Sequence, residues 1–276
     1  MKIFDCFTFF SELDLLEFRL RLLDDSVDYF VIAESDFTHS GKSKPFIFDD
    51  NIERFSKWKN KIIYLPINQS IEELSFDKVT SYTPTNGPWI LEQQQRFALS
   101  YINSMVDDGD LVILGDLDEI PDPIVLDSLR GTVNVSQLPK PVVCSQLFHY
   151  YYMNCQNEGF ERLWNGSVIA NGKQFKEYDP QGLRDNRNSF PRIEEGGWHF
   201  SYLGGIEKIR TKIESFAHSE FNRPEITSDE NIIKSLETGK DIFNRPGVSY
   251  KLYPLDYYPD NLKDLMKEYP IFVREI

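Results

Sequence analysis

Three carboxylates follow directly on the most apolar stretch of the chain. Residues 110–115 predict a buried strand, and Asp116, Asp118 and Glu119 come immediately after it. Because side chains two positions apart in an extended segment share a face, Asp116 and Asp118 would stand side by side. Two carboxylates that close repel each other unless a cation lies between them. Hard oxygen ligands suit Mg²⁺ or Mn²⁺, so the motif predicts a metal site, with an acidic loop that caps the next helix as the alternative.

A second group of residues with chemical potential surrounds His199. A neutral imidazole at this position could complete the metal site, although an isolated histidine is more often a hydrogen-bonded core residue. The pair Gly204 and Gly205 precedes a predicted helix, where free N–H groups and the helix dipole could hold a phosphate, with Lys208 adding positive charge. The alternative for the two glycines is a plain turn between strand and helix.

Aromatic side chains lie close to both groups in the sequence. Trp198 and the run from Phe148 to Tyr152 offer flat apolar faces with polar tips, which suit the C–H faces and hydroxyls of a sugar. We therefore expect Trp198 to contact an acceptor, with core packing as the alternative.

A helix is predicted from Pro88 to about residue 105, because proline is favoured in the first turn and apolar residues recur at helical spacing. Gln94 falls within the apolar stripe and is expected to be satisfied internally or to point into the site. Arg96 lies nearly opposite the stripe, which by periodicity indicates solvent. The stripe consists of Ile90, Phe97, Tyr101 and Met105.

Strands and helices alternate along the chain, which predicts an α/β fold with a mostly parallel sheet and ligands at the carboxyl ends of the strands. Strands are predicted at 3–10, 27–33, 61–65, 110–115, 142–153 and 198–202. Helices are predicted at 11–23, 88–105 and from 205 to about 219, and an irregular or helical tail is predicted from about residue 222.

Composition limits the classes of function. The 276 residues carry 30 basic and 44 acidic side chains, a formal net charge of −14, which argues against nucleic-acid binding. An anionic substrate is still compatible if a metal or a local basic patch supplies positive charge. The cysteines Cys6, Cys144 and Cys155 are too scattered to suggest disulfides. With neither a signal peptide nor an apolar span in view, we expect a cytoplasmic protein.

Four segments together resemble glycosyltransferase family 17, the family of the bisecting β-1,4-N-acetylglucosaminyltransferase. They are residues 4–20, Glu34 with residues 38–42, residues 115–121 and residues 196–202, and the similarity spans about residues 3–221 in the same order. The resemblance implies a GT-A (Rossmann-like nucleotide-sugar-binding) fold. Its donor half would be about 1–121 and its acceptor half about 122–221, with 222–276 as an extension of the same domain.

The resemblance also implies a reaction: transfer of a sugar, with inversion, from a UDP-sugar such as UDP-GlcNAc, assisted by Mn²⁺ or Mg²⁺. Asp116 and Asp118 match the metal-binding Asp-x-Asp of such enzymes, and His199 is similar to their distal histidine. Phe9, Glu34 and Arg96 would join the donor site, Arg96 despite its place on the helix. Without an anchor in view, the implied acceptor is a surface glycan, a lipid-linked sugar or another glycoconjugate. The linkage and the oligomeric state are left open.

An inverting transfer needs a base for the acceptor hydroxyl. Glu195 is favoured because a glycine- and aromatic-rich segment follows it, and Glu220 is the alternative. Three other functions compete: a metal-dependent nucleotidyltransferase, a phosphatase of the haloacid type, and a non-catalytic module that binds a glycan or a metal.

Overall fold

The computed structural model describes residues 1–77, 79, 83–132 and 138–276. Within these residues the strands form one ten-stranded sheet. The strands are β1 (Ile3–Phe9), β2 (Tyr29–Ser35), β3 (Ile62–Ile67), β4 (Leu111–Asp116), β5 (Glu119–Pro121), β6 (Val142–Tyr150), β7 (Cys155–Asn157), β8 (Leu163–Asn171), β9 (Arg192–Ser201) and β10 (Tyr250–Leu252).

Helices pack around this sheet. They are α1 (Leu13–Leu23), α2 (Ile47–Asp50), α3 (Gly87–Phe97), α4 (Pro123–Thr132), α5 (Gly172–Asn186), α6 (Gly205–Ser215), α7 (Pro224–Thr227), α8 (Asp229–Thr238) and α9 (Asp260–Lys267). Short 3₁₀ segments are Ile52–Trp58, Ala98–Ser104, Arg187–Ser189, Ser219–Phe221, Leu255–Tyr257 and Pro270–Phe272.

The strand order is β10-β7-β6-β8-β4-β1-β2-β3, and β9 pairs with β5 and β6. The strands β4, β1, β2 and β3 run parallel to one another, and β6 runs parallel to β9. The remaining pairs are antiparallel. The predicted α/β class with a parallel central sheet is therefore confirmed, with antiparallel strands added beyond β4.

The central strands are apolar because helices cover both of their faces. On β1, Ile3 and Phe7 pack in the cluster that contains the leucines of α1 and α9, whereas Phe4 and Cys6 pack in the cluster that contains Phe175 of α5. The carboxyl ends of β1 and β4 lie side by side, since Thr8 pairs with Asp116. This register brings the acidic motif to the edge of the sheet where a ligand is expected.

The prediction for the helix that begins near Pro88 is wrong in its length and phase. The α-helix ends at Phe97, and Ala98–Ser104 continues it as a 3₁₀ segment, which turns at a different period. Three of the four residues expected to be buried are exposed, namely Phe97, Tyr101 and Met105. The buried positions of α3 instead include Leu91, Gln95 and Arg96.

Two further elements escaped the sequence reasoning. β8 and α5 follow one another between residues 163 and 186, and α5 contains Pro180 after a kink at Asp179. The C-terminal segment 222–276 adds β10 to the sheet and packs α9 against α1. The three cysteines are buried and free of disulfides. In the described part of the chain, we find no helix with the length and apolar character to span a bilayer.

His149 on β6 gives the fold a testable pH dependence. The side chain is fully buried, and its Nδ1 donates to the Leu147 carbonyl oxygen at 3.0 Å. Its Nε2 finds no hydrogen-bond partner within the described part of the chain. Burial lowers the pKa of His149 to about 3. In the unfolded chain the pKa of a histidine is about 6.5. As the pH falls below that value, the unfolded chain takes up a proton at His149 that the folded protein does not bind. The stability that the neutral, buried His149 contributes is therefore lost progressively toward pH 3.

We expect the wild-type free energy of unfolding to fall by about 2 kcal/mol more between pH 7 and pH 5 than that of His149→Gln, whose side chain does not titrate. Urea denaturation at the two pH values measures the difference. Equal pH dependence in the two proteins would contradict a neutral, buried His149.

Candidate active site

A cavity of about 760 Å³ opens at the carboxyl ends of β1 and β4. Thr8, Phe9, Thr38 and His39 line one end, next to the parallel strands. The opposite end is aromatic and is formed by Phe148, Tyr150, Trp164, Tyr202 and Phe216. Asp116, Asp118 and Glu119 lie between these two ends. The cavity thus combines a polar end, an acidic centre and an aromatic end.

Arg19 holds the backbone of the acidic turn. Its side chain is fully buried and makes a two-bond ion pair with Asp5 of β1, with N···O distances of 2.8 and 2.7 Å. Its Nη1 lies 2.9 Å from each of the carbonyl oxygens of Asp116, Leu117 and Glu119. Three carbonyl oxygens of the turn between β4 and β5 therefore receive hydrogen bonds from one charged group. No sequence pattern had indicated Arg19, although it lies in a segment that resembles the family.

The Asp118 carboxylate lies next to two basic side chains of the cavity, Lys212 and His199. One carboxylate oxygen accepts from Lys212 of α6 at 2.7 Å, and the other lies 3.4 Å from His199 Nε2. Burial raises the pKa of Asp118, but Lys212 and His199 outweigh burial and hold that pKa below its usual range. Burial lowers the pKa of Lys212, yet Asp118 raises it above its ordinary value. The two groups are therefore charged at neutral pH.

Asp116 and Glu119 share a different cation, Arg184 of α5. Arg184 Nη2 lies 2.7 Å from Asp116, and Nη1 lies 2.7 and 2.8 Å from the two oxygens of the buried Glu119. Against the effect of burial, Arg184 and Arg96 lower the pKa of Asp116. The sequence reasoning missed Arg184 because α5 was not predicted. The spacing of Gln181, Arg184 and Arg187, all of which line the cavity, is the signal that could have found it.

The expectation that Arg96 faces solvent is wrong. Arg96 is 3% exposed and donates to Glu92 at 2.7 Å, to Gln181 at 2.9 Å and to Asp116 at 3.3 Å. Because these oxygens satisfy the guanidinium, it can occupy the buried side of α3. Arg96 therefore lines the cavity, and its contact with a donor stays a prediction.

Gln94 does not occupy the buried position expected for it. It is exposed, and the neighbouring Gln95 is buried instead. Gln95 Nε2 donates to the carbonyl oxygens of Phe9 and Ala33 at 3.0 and 2.9 Å, and its Oε1 lies 2.8 Å from His39 Nε2. Gln95 thus joins β1, β2 and His39 at the polar end of the cavity, where Phe9 also lies.

Glu34 is a structural residue in this fold. It is fully buried, and its oxygens accept from Lys44 Nζ at 2.7 Å, from the Ile47 and Phe48 amides at 2.6 and 3.0 Å, and from the Tyr64 hydroxyl at 2.9 Å. Glu34 is not among the residues that line the cavity. Because its oxygens are already hydrogen-bonded to the start of α2 and to its other neighbours, Glu34 is not placed to contact a sugar donor.

Gly204, Gly205 and Lys208 lie beside a smaller pocket rather than in the main cavity. That pocket, about 160 Å³ in volume, is lined by Gly204 and Lys208 among others. Gly204, with a φ of +91°, precedes α6 in a left-handed conformation that favours glycine. The structure does not bring this turn to the acidic motif. Lys212, one turn further along α6, is the residue that reaches it.

Trp198 packs in the core, contrary to the expectation that it contacts an acceptor. Because alternate residues of a strand face opposite sides, His199 of β9 faces the cavity and Trp198 faces the cluster beneath the sheet. Trp198 is 3% exposed. Trp164 of β8 lines the cavity instead and donates from Nε1 to Glu119 at 2.7 Å.

Neither carboxylate predicted as the base lines the cavity. The Glu195 side chain is half exposed and pairs with Arg162 at 2.9 Å. Glu220 lies 2.8 Å from Nδ1 of His218, and its second oxygen is buried without a hydrogen-bond partner. His218 does line the cavity, with its ring packed edge to face against Trp89. The structure therefore connects Glu220 to the cavity through His218.

The donor set of a metal site is present only in part. The described residues contain no group of three or more His, Cys, Asp or Glu side chains that could hold an ion. Asp118 and His199 lie together, whereas Asp116 is engaged by Arg184 and Arg96. Mg²⁺ is often bound by one or two carboxylates together with substrate phosphates and water. Asp118, with His199 beside it, would be the ligand of such an ion if Lys212, now 2.7 Å away, moved to the phosphates.

The family model of glycosyltransferase family 17 matches residues 1–255. The chain belongs to glycosyltransferase family 17. This confirms the resemblance in the four sequence segments and identifies a transferase of a glycosyl group. The comparison with curated protein sequences returns no relative.

Three solved structures are similar to part of this chain at low TM-scores. Glucosyl-3-phosphoglycerate synthase of M. tuberculosis is 13% identical, with a TM-score of 0.35 over 72% of this chain and 71% of that one. The inositol-1-phosphate CTP transferase of T. maritima is 10% identical, with a TM-score of 0.36 over 71% and 85%. Mouse xyloside xylosyltransferase 1 is 10% identical, with a TM-score of 0.30 over 71% and 78%. Identities this low do not carry a substrate over to this chain.

The position of Arg19 leads to a prediction. Arg19→Lys keeps a positive charge next to Asp5 but cannot reach all three carbonyls of the turn. We expect a loss of about 2 kcal/mol in the free energy of unfolding, because carbonyl oxygens of the turn lose their hydrogen bonds. Urea denaturation measures this loss.

The control is Arg21→Lys on the same helix, whose exposed pair with Glu268 is expected to contribute less than about 1 kcal/mol. An equal loss of stability in the Arg19 and Arg21 variants would show that the turn does not depend on Arg19.

Proposed function

We propose that this protein is a metal-dependent, inverting glycosyltransferase that moves N-acetylglucosamine from UDP-GlcNAc to a hydroxyl of a glycan, a lipid-linked sugar or another glycoconjugate. The supporting observation is that Asp118, His199 and Lys212 meet in one cavity of a family 17 chain. The donor nucleoside would occupy the polar end, next to Phe9 and Gln95. The acceptor would occupy the aromatic end.

The leaving group of this reaction is a diphosphate, whose negative charge grows as the glycosidic bond breaks. Lys212 is the cation placed closest to Asp118 and would stabilise that charge. Asp118 and His199 would hold a Mn²⁺ or Mg²⁺ ion, which supplies further neutralisation of the diphosphate. Arg96 and Arg184 hold the Asp116 carboxylate at a fixed position, where it would lie beside the bound donor.

We assign the base to His218, with Glu220 as the group that orients it. Because Nδ1 of His218 faces Glu220, Nε2 is the nitrogen left to accept a proton. The acceptor oxygen would attack the anomeric carbon, its proton would pass to His218 Nε2, and the bond from that carbon to the diphosphate oxygen would break. One new glycosidic bond and free UDP result, with inversion at the anomeric carbon.

The metal assignment is tested by Asp118→Asn. We expect UDP affinity in the presence of Mn²⁺ to fall by at least about tenfold, since the variant loses the anionic oxygen that attracts the ion. Calorimetric titration with and without Mn²⁺ measures this. Asp185→Asn is the matched control, because Asp185 also lines the cavity but is bonded to Gln181 on the surface side. UDP affinity that is unchanged in Asp118→Asn would overturn the metal assignment.

The base assignment is tested by kinetics. His218→Gln should lower kcat by about 10²- to 10⁴-fold while UDP affinity stays the same, because the base acts on the acceptor and not on the donor. Glu220→Gln should lower kcat less, and Glu195→Gln should leave it unchanged. The assay follows UDP release from UDP-GlcNAc with Mn²⁺. Full turnover by His218→Gln, or a loss confined to Glu195→Gln, would contradict the assignment.

A further inference from the structure

Arg187 differs from every other cation that lines the cavity. Lys44, Arg96, Arg184, Lys212 and Arg245 each lie 2.7–2.9 Å from a carboxylate oxygen. No ion pair joins Arg187 to any carboxylate of the described chain. Its one protein hydrogen bond there runs from Nη1 to the Arg184 carbonyl oxygen, at 3.2 Å. Arg187 thus presents to the cavity a guanidinium that has no ion-pair partner among the described residues.

The guanidinium is held in place despite lacking an ionic partner. It lies over the Trp164 ring, 5.4 Å from the centroid. Its Nε is buried and has no hydrogen-bond partner among the described residues, so a ligand in the cavity does not reach it. Burial, and next Arg184, lower the pKa of Arg187 to about 10, which leaves it charged at neutral pH. The two Nη groups are left to bind a carboxylate or a phosphate by hydrogen bonds.

The strand order assigns this position to the acceptor end of the cavity. Trp164 lies on β8, and β8 pairs with β4 on the side away from β1. Phe9 of β1 and Thr38 after β2, which line the polar end, lie on the opposite side of β4. An anion bound by Arg187 would therefore be carried by the acceptor and not by the nucleotide of the donor.

We propose that Arg187, stacked on Trp164, forms a subsite for an anionic group of the acceptor sugar, either a carboxylate or a phosphate. This inference rests on the proposed glycosyl transfer and adds a substrate class to it, namely acidic acceptors. Trp164 would contact the C–H face of the same sugar. The subsite would select acidic over neutral acceptors, because only an acidic acceptor supplies the guanidinium with an ionic partner.

Direct binding tests the subsite on the full chain. Methyl β-D-glucuronide, glucose 6-phosphate and neutral methyl β-D-glucoside are titrated calorimetrically, with and without saturating UDP and Mn²⁺. We expect at least one acidic sugar to bind about ten- to hundredfold more tightly than the neutral one, the range for charge-assisted hydrogen bonds. The stronger acidic ligand identifies the group as a carboxylate or a phosphate. Equal binding of acidic and neutral sugars would overturn the proposal.

Variants connect the preference to the residue. Arg187→Gln should abolish the preference for the acidic sugar, and Arg187→Lys, which keeps the charge without the two Nη groups, should retain part of it. Arg192→Gln changes an exposed arginine at the start of β9 and should have no effect. If Arg187→Gln weakens UDP binding instead, Arg187 belongs to the donor site and the proposal fails. If acidic sugars bind through Arg187 while UDP does not bind, the proposed transferase reaction fails and the subsite stands.

Discussion

A single buried guanidinium fixes the backbone on which the site is built. Arg19 crosses from α1 beneath the end of β4, pairs with Asp5 and reaches the carbonyl oxygens of Asp116, Leu117 and Glu119. Burying this charge is tolerable only because an anion and three carbonyl oxygens surround it. The same contacts set the directions of the Asp116, Asp118 and Glu119 side chains. Those carboxylates are in turn the groups that Arg184, Lys212 and His199 contact.

The carboxylates of the acidic turn are balanced by nearby cations, although the chain as a whole carries an excess of negative charge. The formal net charge is −14, yet the carboxylates of the turn are neutralised by cations from three different helices. Arg96 comes from α3, Arg184 from α5 and Lys212 from α6. Because each pair is mostly removed from water, these interactions are stronger than surface ion pairs and hold the side chains before a substrate arrives. A nucleotide-sugar would meet a site whose polar groups are already ordered.

Features that depend on neighbours in sequence could be predicted, and features that depend on distant contacts could not. The apolar run of β4 followed by alternating aspartates predicted where the acidic turn lies. His199 was expected near it from its residue type and from the family resemblance, and its pairing with Asp118 depends on a contact that no local pattern specifies. Gln95 replaced Gln94 because the predicted stripe was aligned on Phe97, Tyr101 and Met105, which are exposed, whereas the buried face of α3 contains Leu91 and Gln95. Trp198 proved to be a core residue because its strand neighbour His199 took the cavity face. Arg184 and Arg19 act across 65 and 100 residues of sequence, a separation that no local pattern reveals.

The central claim is that Asp118 and His199 bind a divalent ion together with the diphosphate of a UDP-sugar. Anomalous diffraction at the manganese edge, from crystals grown with Mn²⁺ and UDP, tests it most directly. The account predicts one strong peak in contact with an Asp118 oxygen, His199 Nε2 and the diphosphate, with Lys212 moved from Asp118 toward the phosphates. Bound UDP with no manganese peak beside Asp118, or a peak held by other residues, would contradict it.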